Sequence, residues 1–472
     1  MVSPKRWLSI LSVNSLMLFN VSFPVLMLPN IVNGGEVVAQ IDANAEAERL
    51  LKQGAELFKQ GTAESRRQAI AKWEEALLLF RKAGNLRGEA VTLVLIGSVY
   101  NDLGEKQTAL NYYQQALPVF QQVGDRSWEA GTLNNIGSVY NDLGEKQTAL
   151  NYYQQALPLR REVGDRSGEA TTLNNIGSVY NDLGEKQTAL NYYQQALPLR
   201  REVGDRSGEA TTLNNIGSVY NDLGEKQTAL NYYQQALPLR REVGDRSGEA
   251  TTLNNIGSVY NDLGEKQTAL NYYQQALPLR REVEDIRGEA NTLNNIGAVY
   301  HSLGEKQKAL NYFEQALPIL RQVGDRSGEA ATLNNLGIVY SDLGEKQTAL
   351  NYYEQALPIY RQVEDIRGEA NTLNNIGTVY DDLGEKQTAL NYYEQALPIL
   401  RQVGARATEA TTLNNIGLVY SNLGEKQTAL SYYQQALPIL QEVGARATEA
   451  TTLNNIGSVY NDLGEKQTAL NY

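Results

Sequence analysis

Apolar side chains recur at helical spacing along nearly the whole chain. Between residues 165 and 184 they fall every three or four positions, which places them on one face of an α-helix. We call this predicted segment helix A. Its stripe consists of Ala170, Leu173, Ile176, Gly177, Tyr180 and Leu183.

A second apolar stripe follows and predicts helix B. Gly184 separates the two helices, because a helix end favours a residue that tolerates positive φ, and Glu185 suits the next N-terminus. Asp165 is the expected N-cap of helix A. Of the recurring tyrosine pair, Tyr193 is expected in the core, with Tyr192 partly exposed on the outer face. The helix B stripe consists of Ala189, Tyr193, Ala196, Leu197 and Val203.

This helix pair repeats every forty residues. Residues 165–204 and 205–244 are identical, and a glycine marks the same position in every copy. One amphipathic pair cannot cover its apolar stripe alone, whereas stacked pairs bury a continuous core. The sequence therefore predicts an all-α fold, an α-solenoid (superhelix) of stacked antiparallel helix pairs. The marker glycines are Gly97, Gly137, Gly177, Gly217, Gly257, Gly297, Gly337, Gly377, Gly417 and Gly457.

Two residues inside the pair carry packing predictions. A glycine in a helix interior costs about 1 kcal/mol relative to alanine, so the recurrence of Gly177 indicates close approach of helices A and B. We expect Ala189 and Ala196 to face it. Pro198 lies inside helix B and removes one hydrogen bond. Because the apolar spacing continues beyond it, we expect a kink in helix B and not a break.

The repeat divides the chain into four segments. They are a signal peptide or N-terminal anchor at 1–39, a divergent capping repeat at 43–84, nine forty-residue repeats at 85–444 and an incomplete final repeat at 445–472. Atypical sequence at the end of an array is typical of a capping repeat. In this one, Trp73 takes the aromatic position and residues 62–64 are the expected extra loop.

The first thirty-nine residues have the three parts of an export signal. Lys5 and Arg6 give a positive start, an apolar stretch covers 7–28, and Val37 and Ala39 are the small residues before a cut after Ala39. We therefore expect export, to the periplasm or outside the cell. An uncleaved membrane anchor through residues 7–28, the only membrane contact expected, is the alternative.

Composition and charge narrow the choice of partner. Apolar residues make up 42% of the chain and charged residues 20%, which is typical of a folded protein. The formal net charge is -12, and since Lys5, Arg6 and Glu36 sum to +1, the chain after residue 39 carries -13. Such a surface repels phosphates, so nucleic acid is not an expected partner. A neutral or basic protein or peptide is.

The chain has few residues of the types that catalysis or metal binding requires. The chain has no cysteine and one histidine, His301, at a position where other copies carry Asn, Ser or Asp. The recurring carboxylates Asp182 and Glu185 straddle a turn instead of forming a metal cluster. We therefore expect no enzyme activity, no metal and no cofactor.

Over residues 43–472 the pattern of each copy resembles the tetratricopeptide repeat. The forty-residue length and the Gly-Asp-Arg link resemble the long-repeat subclass found in kinesin light chains and the polarity adaptor LGN. A leucine stands where the family often has tryptophan, and the proline that usually follows helix B is absent. The resemblance implies a protein-interaction array with helix A lining a groove. It is carried by Leu173, Ile176, Gly177, Tyr180, Ala189, Tyr193 and Ala196.

The polar positions of helix A are the candidate binding site. An asparagine amide both donates and accepts hydrogen bonds, so a ladder of them can pair with the backbone of an extended segment. Ordinary polar surface or bonding between repeats is the alternative. The predicted peptide-binding residues are Asn134, Asn174, Asn214, Asn254, Asn294, Asn334, Asn374, Asn414 and Asn454, with Asn181 and Ser178.

The charge of helix A disfavours one class of ligand. No Lys or Arg occurs from Ser167 to Leu183, so the basic clamp with which chaperone-binding members of the family hold a C-terminal carboxylate is missing. Two other functions remain open at this point. The array resembles bacterial arrays that are followed by a caspase-like CHAT domain, which implies a sensor within a larger effector, or it is a surface spacer without a ligand.

Overall fold

The computed structural model describes residues 34–472, and this part of the chain consists of twenty-two helices without a strand. The first eleven are α1 Gly34–Lys59, α2 Ala63–Ala83, α3 Leu86–Asp102, α4 Lys106–Val123, α5 Arg126–Asp142, α6 Lys146–Glu162, α7 Arg166–Asp182, α8 Lys186–Glu202, α9 Arg206–Asp222, α10 Lys226–Glu242 and α11 Arg246–Asp262. The others are α12 Lys266–Glu282, α13 Ile286–Ser302, α14 Lys306–Gln322, α15 Arg326–Asp342, α16 Lys346–Gln362, α17 Ile366–Asp382, α18 Lys386–Gln402, α19 Arg406–Asn422, α20 Lys426–Glu442, α21 Arg446–Asp462 and α22 Lys466–Ala469.

Odd-numbered helices are helices A and even-numbered ones helices B. The chain divides into two compact units, one ending at Val259 and the other beginning at Tyr260. Each helix from α1 to α10 and from α12 to α22 packs on the next along the chain, and successive helices A from α3 to α9 and from α13 to α21 also touch one another directly. Each unit is therefore a stack of helix pairs, and the predicted all-α solenoid is confirmed.

Glycine and aspartate set the ends of the helices as the sequence predicts. Gly104, Gly144 and Gly184 follow helices A with φ of 83°, 82° and 81°, a conformation in which a side chain is strained. At the start of helix A, the Asp165 carboxylate accepts a hydrogen bond of 2.8 Å from the Gly168 backbone N–H. The Asp165 cap satisfies one of the free amides of the first turn.

The core lies between the two helices of a pair and between neighbouring pairs. Leu173, Ile176, Ala189 and Tyr193 are all at most 2% exposed. The residue that faces Gly177 differs from the prediction. A Cβ there would lie 2.8 Å from the Tyr193 ring and 3.2 Å from the Ala189 carbonyl oxygen, so the aromatic ring and the backbone, and not Ala196, require the glycine.

Two positions expected in the apolar stripes lie largely outside the core. Leu183 and Val203 are 46% and 42% exposed, because each is the C-cap residue of its helix and lies past the last turn that a neighbour covers. The buried residue at the end of helix B is instead Arg200, which is 8% exposed. Helix α8 continues through Pro198 to Glu202, so the prediction that this proline does not break helix B is confirmed.

In the first helix pair, Trp73 of α2 packs against α1. It is 2% exposed and donates a hydrogen bond of 3.1 Å to the Leu51 carbonyl. The predicted loop is shifted. The connection is residues 60–62, with Thr62 as the N-cap of α2, because the hydroxyl of Thr62 accepts from the Ser65 N–H. The export signal was predicted at residues 1–39. Of these, the structure describes only residues 34–39, which form the start of α1. None of the described helices is long and apolar enough to span a membrane.

Candidate interaction surface on helices A

The polar residues of successive helices A form one recurring strip. In α7 these are Thr171, Asn174, Asn175, Ser178 and Asn181, all half-buried. They share one face of the helix because their spacings are close to whole turns. We call this strip, with its equivalents in the helices A from α5 to α21 within each unit, the helix A surface. In α3 the two asparagine positions carry Val94 and Leu95.

The predicted asparagine ladder bonds between repeats. The Asn134 side-chain oxygen lies 3.3 Å from the Asn175 Nδ2 and 3.2 Å from the Thr172 hydroxyl of the next repeat. Asn174 receives the same pair of bonds from Asn215 and Thr212. The alternative role considered for these residues, bonding between repeats, is therefore present in the structure. Equivalent bonds to the next repeat are made by Asn214, Asn294, Asn334, Asn374 and Asn414.

Burial varies along the ladder. Asn134, Asn374 and Asn414 are buried at 7–8% exposure, and Asn174, Asn214, Asn254, Asn294 and Asn334 are half-buried. Asn454 is exposed.

The other two predicted contacts also serve the scaffold. In α3 the buried Tyr113 phenol donates a hydrogen bond of 3.1 Å to the Ser98 hydroxyl, and Ser178 interacts with Tyr193 at the equivalent position of α7. The Asn181 side-chain oxygen accepts from Lys186 Nζ at 2.8 Å. These residues orient core and turn side chains in addition to lining the surface.

Part of each amide remains available to a ligand. The bonds between repeats use the oxygen of Asn174 and the nitrogen of Asn175. Among the described residues, the buried side-chain nitrogen and oxygen atoms without a partner are five arginine Nε atoms and the Tyr433 hydroxyl. The Asn174 nitrogen and the Asn175 oxygen therefore reach solvent, so the repeat offers one donor and one acceptor at the surface.

The strip of α7 is uncharged, and the charges beside it are paired. At the C-terminal end of helix A, Lys146 Nζ lies 2.6 Å from Asp182 of the next repeat. At the other end, Glu169 is 5% exposed and accepts from Arg161 at 2.7 Å and Arg166 at 3.1 Å. Asp182 is thus held by a lysine, and among the described residues no three His, Cys, Asp or Glu side chains are placed to hold a metal ion.

A row of buried arginines was not predicted. Arg200 Nη1 bonds Asp205 at 2.6 Å, and Nη2 donates to the Thr171 hydroxyl at 2.9 Å, while Nε has no partner. Burial lowers the pKa of the Arg200 guanidinium, and the Asp205 charge opposes this effect. Arg160 and Arg240 are buried in the same way. The sequence did contain a sign that this position is buried, because other copies carry an apolar residue there. These residues are Phe120, Leu320, Leu400 and Leu440.

Each forty-residue repeat from α3 onward also carries one tyrosine stack. The Tyr180 and Tyr192 rings lie 5.5 Å apart between centroids and 10° from parallel. Both rings are half-buried. Tyr193 lies in the core as predicted, and Tyr192 is a packing residue as well as a partly exposed one.

Comparison with known proteins places these repeats in a family. Family models described as tetratricopeptide repeat match residues 64–122, 128–202, 208–282, 288–362, 370–403 and 408–472. The chain belongs to the tetratricopeptide repeat family, which confirms the resemblance. No curated protein sequence matches this chain.

Solved structures share the fold. The apo form of the quorum sensor NprR from B. thuringiensis aligns with a TM-score of 0.57 at 18% identity, covering 76% of this chain and 99% of that one. A STAND signal-transduction ATPase with a tetratricopeptide repeat sensor from Pyrococcus horikoshii aligns with a TM-score of 0.56 at 13% identity, covering 89% of this chain and 66% of that one. At this identity the likeness establishes the solenoid fold.

Proposed function

We propose that this protein is a non-catalytic scaffold that binds an extended, uncharged or basic segment of a partner protein along the helix A surface. The observation that carries the proposal is the recurrence of the asparagine pair in every helix A from α5 to α21, with one half of the amide bonded to the next repeat, as for Asn134, Asn174 and Asn214. A fixed amide has lost its rotational freedom before the ligand arrives, so less entropy is lost on binding.

Charge supports the choice of partner. The net charge of -12 attracts basic segments and repels acidic ones at long range. Close to the strip, the lysines and arginines are already paired with carboxylates, as in the Lys146–Asp182 and Arg161–Glu169 contacts. A neutral or basic segment therefore meets no unpaired charge of its own sign. We also propose that binding takes place outside the cytoplasm, on the basis of the export signal that the sequence predicts in residues 1–39.

The asparagines themselves are poor test positions, because they also join the repeats. Thr171 and Thr211 are better. Each accepts a hydrogen bond from a buried arginine, but the equivalent Gly131 has no hydroxyl to offer the buried Arg160, so the repeat tolerates loss of this bond. The double variant Thr171→Trp, Thr211→Trp places two indoles on the strip. Gln194→Trp, Gln234→Trp is the matched control, because both glutamines are exposed on helices B.

Binding is measured by calorimetry with fifteen-residue peptides that are uncharged, basic or acidic. We expect uncharged and basic peptides to bind the native chain and acidic ones not to bind. Losing the contacts of two repeats should weaken binding by about tenfold or more in the threonine double variant, as each net hydrogen bond contributes about 1 kcal/mol. The glutamine control should bind normally. Equal weakening in both variants, or no binding by any peptide, would refute the proposal.

A further inference from the structure

We infer that the segment held on the helix A surface adopts the polyproline II conformation, with three of its residues to each repeat. This inference rests on the proposed function and adds the class of ligand. Successive helices A touch directly from α3 to α9 and from α13 to α21, and packed helices lie about 8–10 Å apart. The amide donor and acceptor of the strip therefore recur at about that interval.

The interval discriminates between two kinds of extended backbone. A β-strand presents the same edge every two residues, which is about 6.7 Å, so it falls out of step with the strip by about 1–3 Å at each repeat. Polyproline II has three residues per turn at about 3.1 Å each, so the same face returns after about 9.3 Å. The polyproline II period lies inside the 8–10 Å interval, so its mismatch is at most about 1 Å at each repeat.

The available chemistry agrees with this conformation. A polyproline II chain makes no internal hydrogen bonds, so its carbonyl oxygens and its remaining N–H groups point outward. The solvent-facing nitrogen of Asn174 can donate to such a carbonyl, and the oxygen of Asn175 can accept from an N–H. Proline in two of every three positions would remove donors but leave every carbonyl acceptor in place.

Equality of the repeats adds a second consequence. Residues 165–204 and 205–244 are identical, and their ladder bonds match, with Asn215 to Asn174 at 3.3 Å and Asn255 to Asn214 at 3.2 Å. A segment moved along by three residues meets the same contacts. Short segments should therefore bind at more than one place on a chain, and affinity should grow with segment length.

The test compares three uncharged fifteen-residue peptides on the full chain by calorimetry. One is five Pro-Gln-Ser triplets, which favour polyproline II. The second is five Gly-Gln-Ser triplets, with the same period and no preset conformation, and the third alternates Thr and Gln, which favours a strand. We expect the proline peptide to bind about tenfold more tightly than either, because it loses less conformational entropy. An eighteen-residue version should bind more tightly still, and a nine-residue version should bind with a stoichiometry above one.

The outcomes separate the two proposals. If the Thr-Gln or Gly-Gln-Ser peptide binds as tightly as the proline peptide, the conformational inference is wrong and the proposed function stands. If none of the three binds, the proposed function fails and the inference fails with it. Thr211→Trp should weaken the proline peptide and Gln234→Trp should not. Weakening by Gln234→Trp alone would place the ligand on helices B and overturn the inference.

Discussion

At the scale of single residues, the last two complete repeats differ in the hydrogen bond of their core tyrosine. Tyr393 donates to the Thr378 hydroxyl at 3.2 Å. In the next copy Leu418 occupies the equivalent position, and the buried Tyr433 hydroxyl has no partner. A buried unsatisfied hydroxyl lowers stability, whereas a bonded one contributes to it.

We therefore expect opposite results from the same substitution in neighbouring repeats. Tyr393→Phe should lower the free energy of unfolding by about 1 kcal/mol, while Tyr433→Phe should leave it unchanged or raise it by up to about 1 kcal/mol. The measurement is urea unfolding followed by circular dichroism. Equal losses would show that the Tyr433 hydroxyl has a partner, such as an ordered water. Leu418→Ser, which restores a hydroxyl beside Tyr433, is the complementary variant.

The buried arginines make a second prediction at this scale. Arg200 packs beside Asp205 and Gly208, and another copy has Leu320, Asp325 and Gly328 at the same three positions. Arg200→Leu should therefore be accommodated, with the free energy of unfolding unchanged or raised by up to about 2 kcal/mol.

Arg200→Ala is the control for this substitution. It leaves a cavity at the end of helix B, so it should lower the free energy of unfolding by about 2–4 kcal/mol. If the leucine variant loses as much stability as the alanine variant, the bonds of the guanidinium to Asp205 and Thr171 are what stabilise the interface. Both variants are compared by urea unfolding.

At the scale of helices and turns, the sequence predicted most of what the structure shows. Apolar spacing fixes where helices A and B lie, and Gly184 and Asp165 mark their ends, because both signals depend only on neighbouring residues. Burial of Arg200 and the orientation of Asn174 were not predictable in this way. Each depends on which side chain of the next repeat lies opposite. The sequence pattern shows that a residue is polar, but it does not show whether that residue faces solvent, a ligand or another helix.

In two of the turns that follow helix B, a glutamate and not a glycine adopts the positive φ. Glu364 has φ of 57° where the equivalent Gly324 has φ of 67°. The backbone bonds agree, with Asp365 N–H to Tyr360 carbonyl at 3.0 Å and Asp325 N–H to Leu320 carbonyl at 2.9 Å. The turn geometry is thus kept, and the glutamate is held in a conformation that a side chain disfavours by about 1 kcal/mol.

A reciprocal exchange tests this strain. Glu364→Gly should raise the free energy of unfolding by about 0.5–1 kcal/mol, the relief of strain being partly offset by the greater freedom of glycine in the unfolded chain. Gly324→Glu should lower it by a similar amount. The midpoint of thermal unfolding should move in opposite directions for the two variants, and a shift in the same direction for both would contradict the argument.

At the scale of the whole molecule, a small contribution to stability that one repeat makes is made again by every equivalent repeat. In a stack of repeats, each copy contributes its own stability and that of its contacts with the neighbours. The same tyrosine is buried at the centre of most pairs, as Tyr113, Tyr153, Tyr193, Tyr233, Tyr273, Tyr353, Tyr393 and Tyr433. A condition that acts on this one residue type therefore acts on most of the array at once.

Alkaline pH is such a condition. Burial raises the pKa of Tyr393, against an opposing effect of its bond to Thr378, and it raises the pKa of Tyr433, in both cases to about 12. In the unfolded chain the pKa is about 10. A group whose pKa is higher in the folded state contributes stability below the unfolded pKa and loses it as pH rises towards the folded one. The stability of the array should therefore fall between about pH 10 and pH 12.

The free energy of unfolding should fall steeply with pH, because the contributions of the buried tyrosines add. Each buried tyrosine that ionises only on unfolding contributes a slope of about 1.4 kcal/mol per pH unit. We expect far-ultraviolet circular dichroism and the ultraviolet absorbance of tyrosinate to change together in one transition above pH 10. Tyr433→Phe should make the loss shallower while leaving contacts such as Lys426–Asp462 in place. Tyrosinate that forms gradually up to pH 12 with helix content unchanged would mean that the buried phenols ionise within the folded stack, contrary to this account.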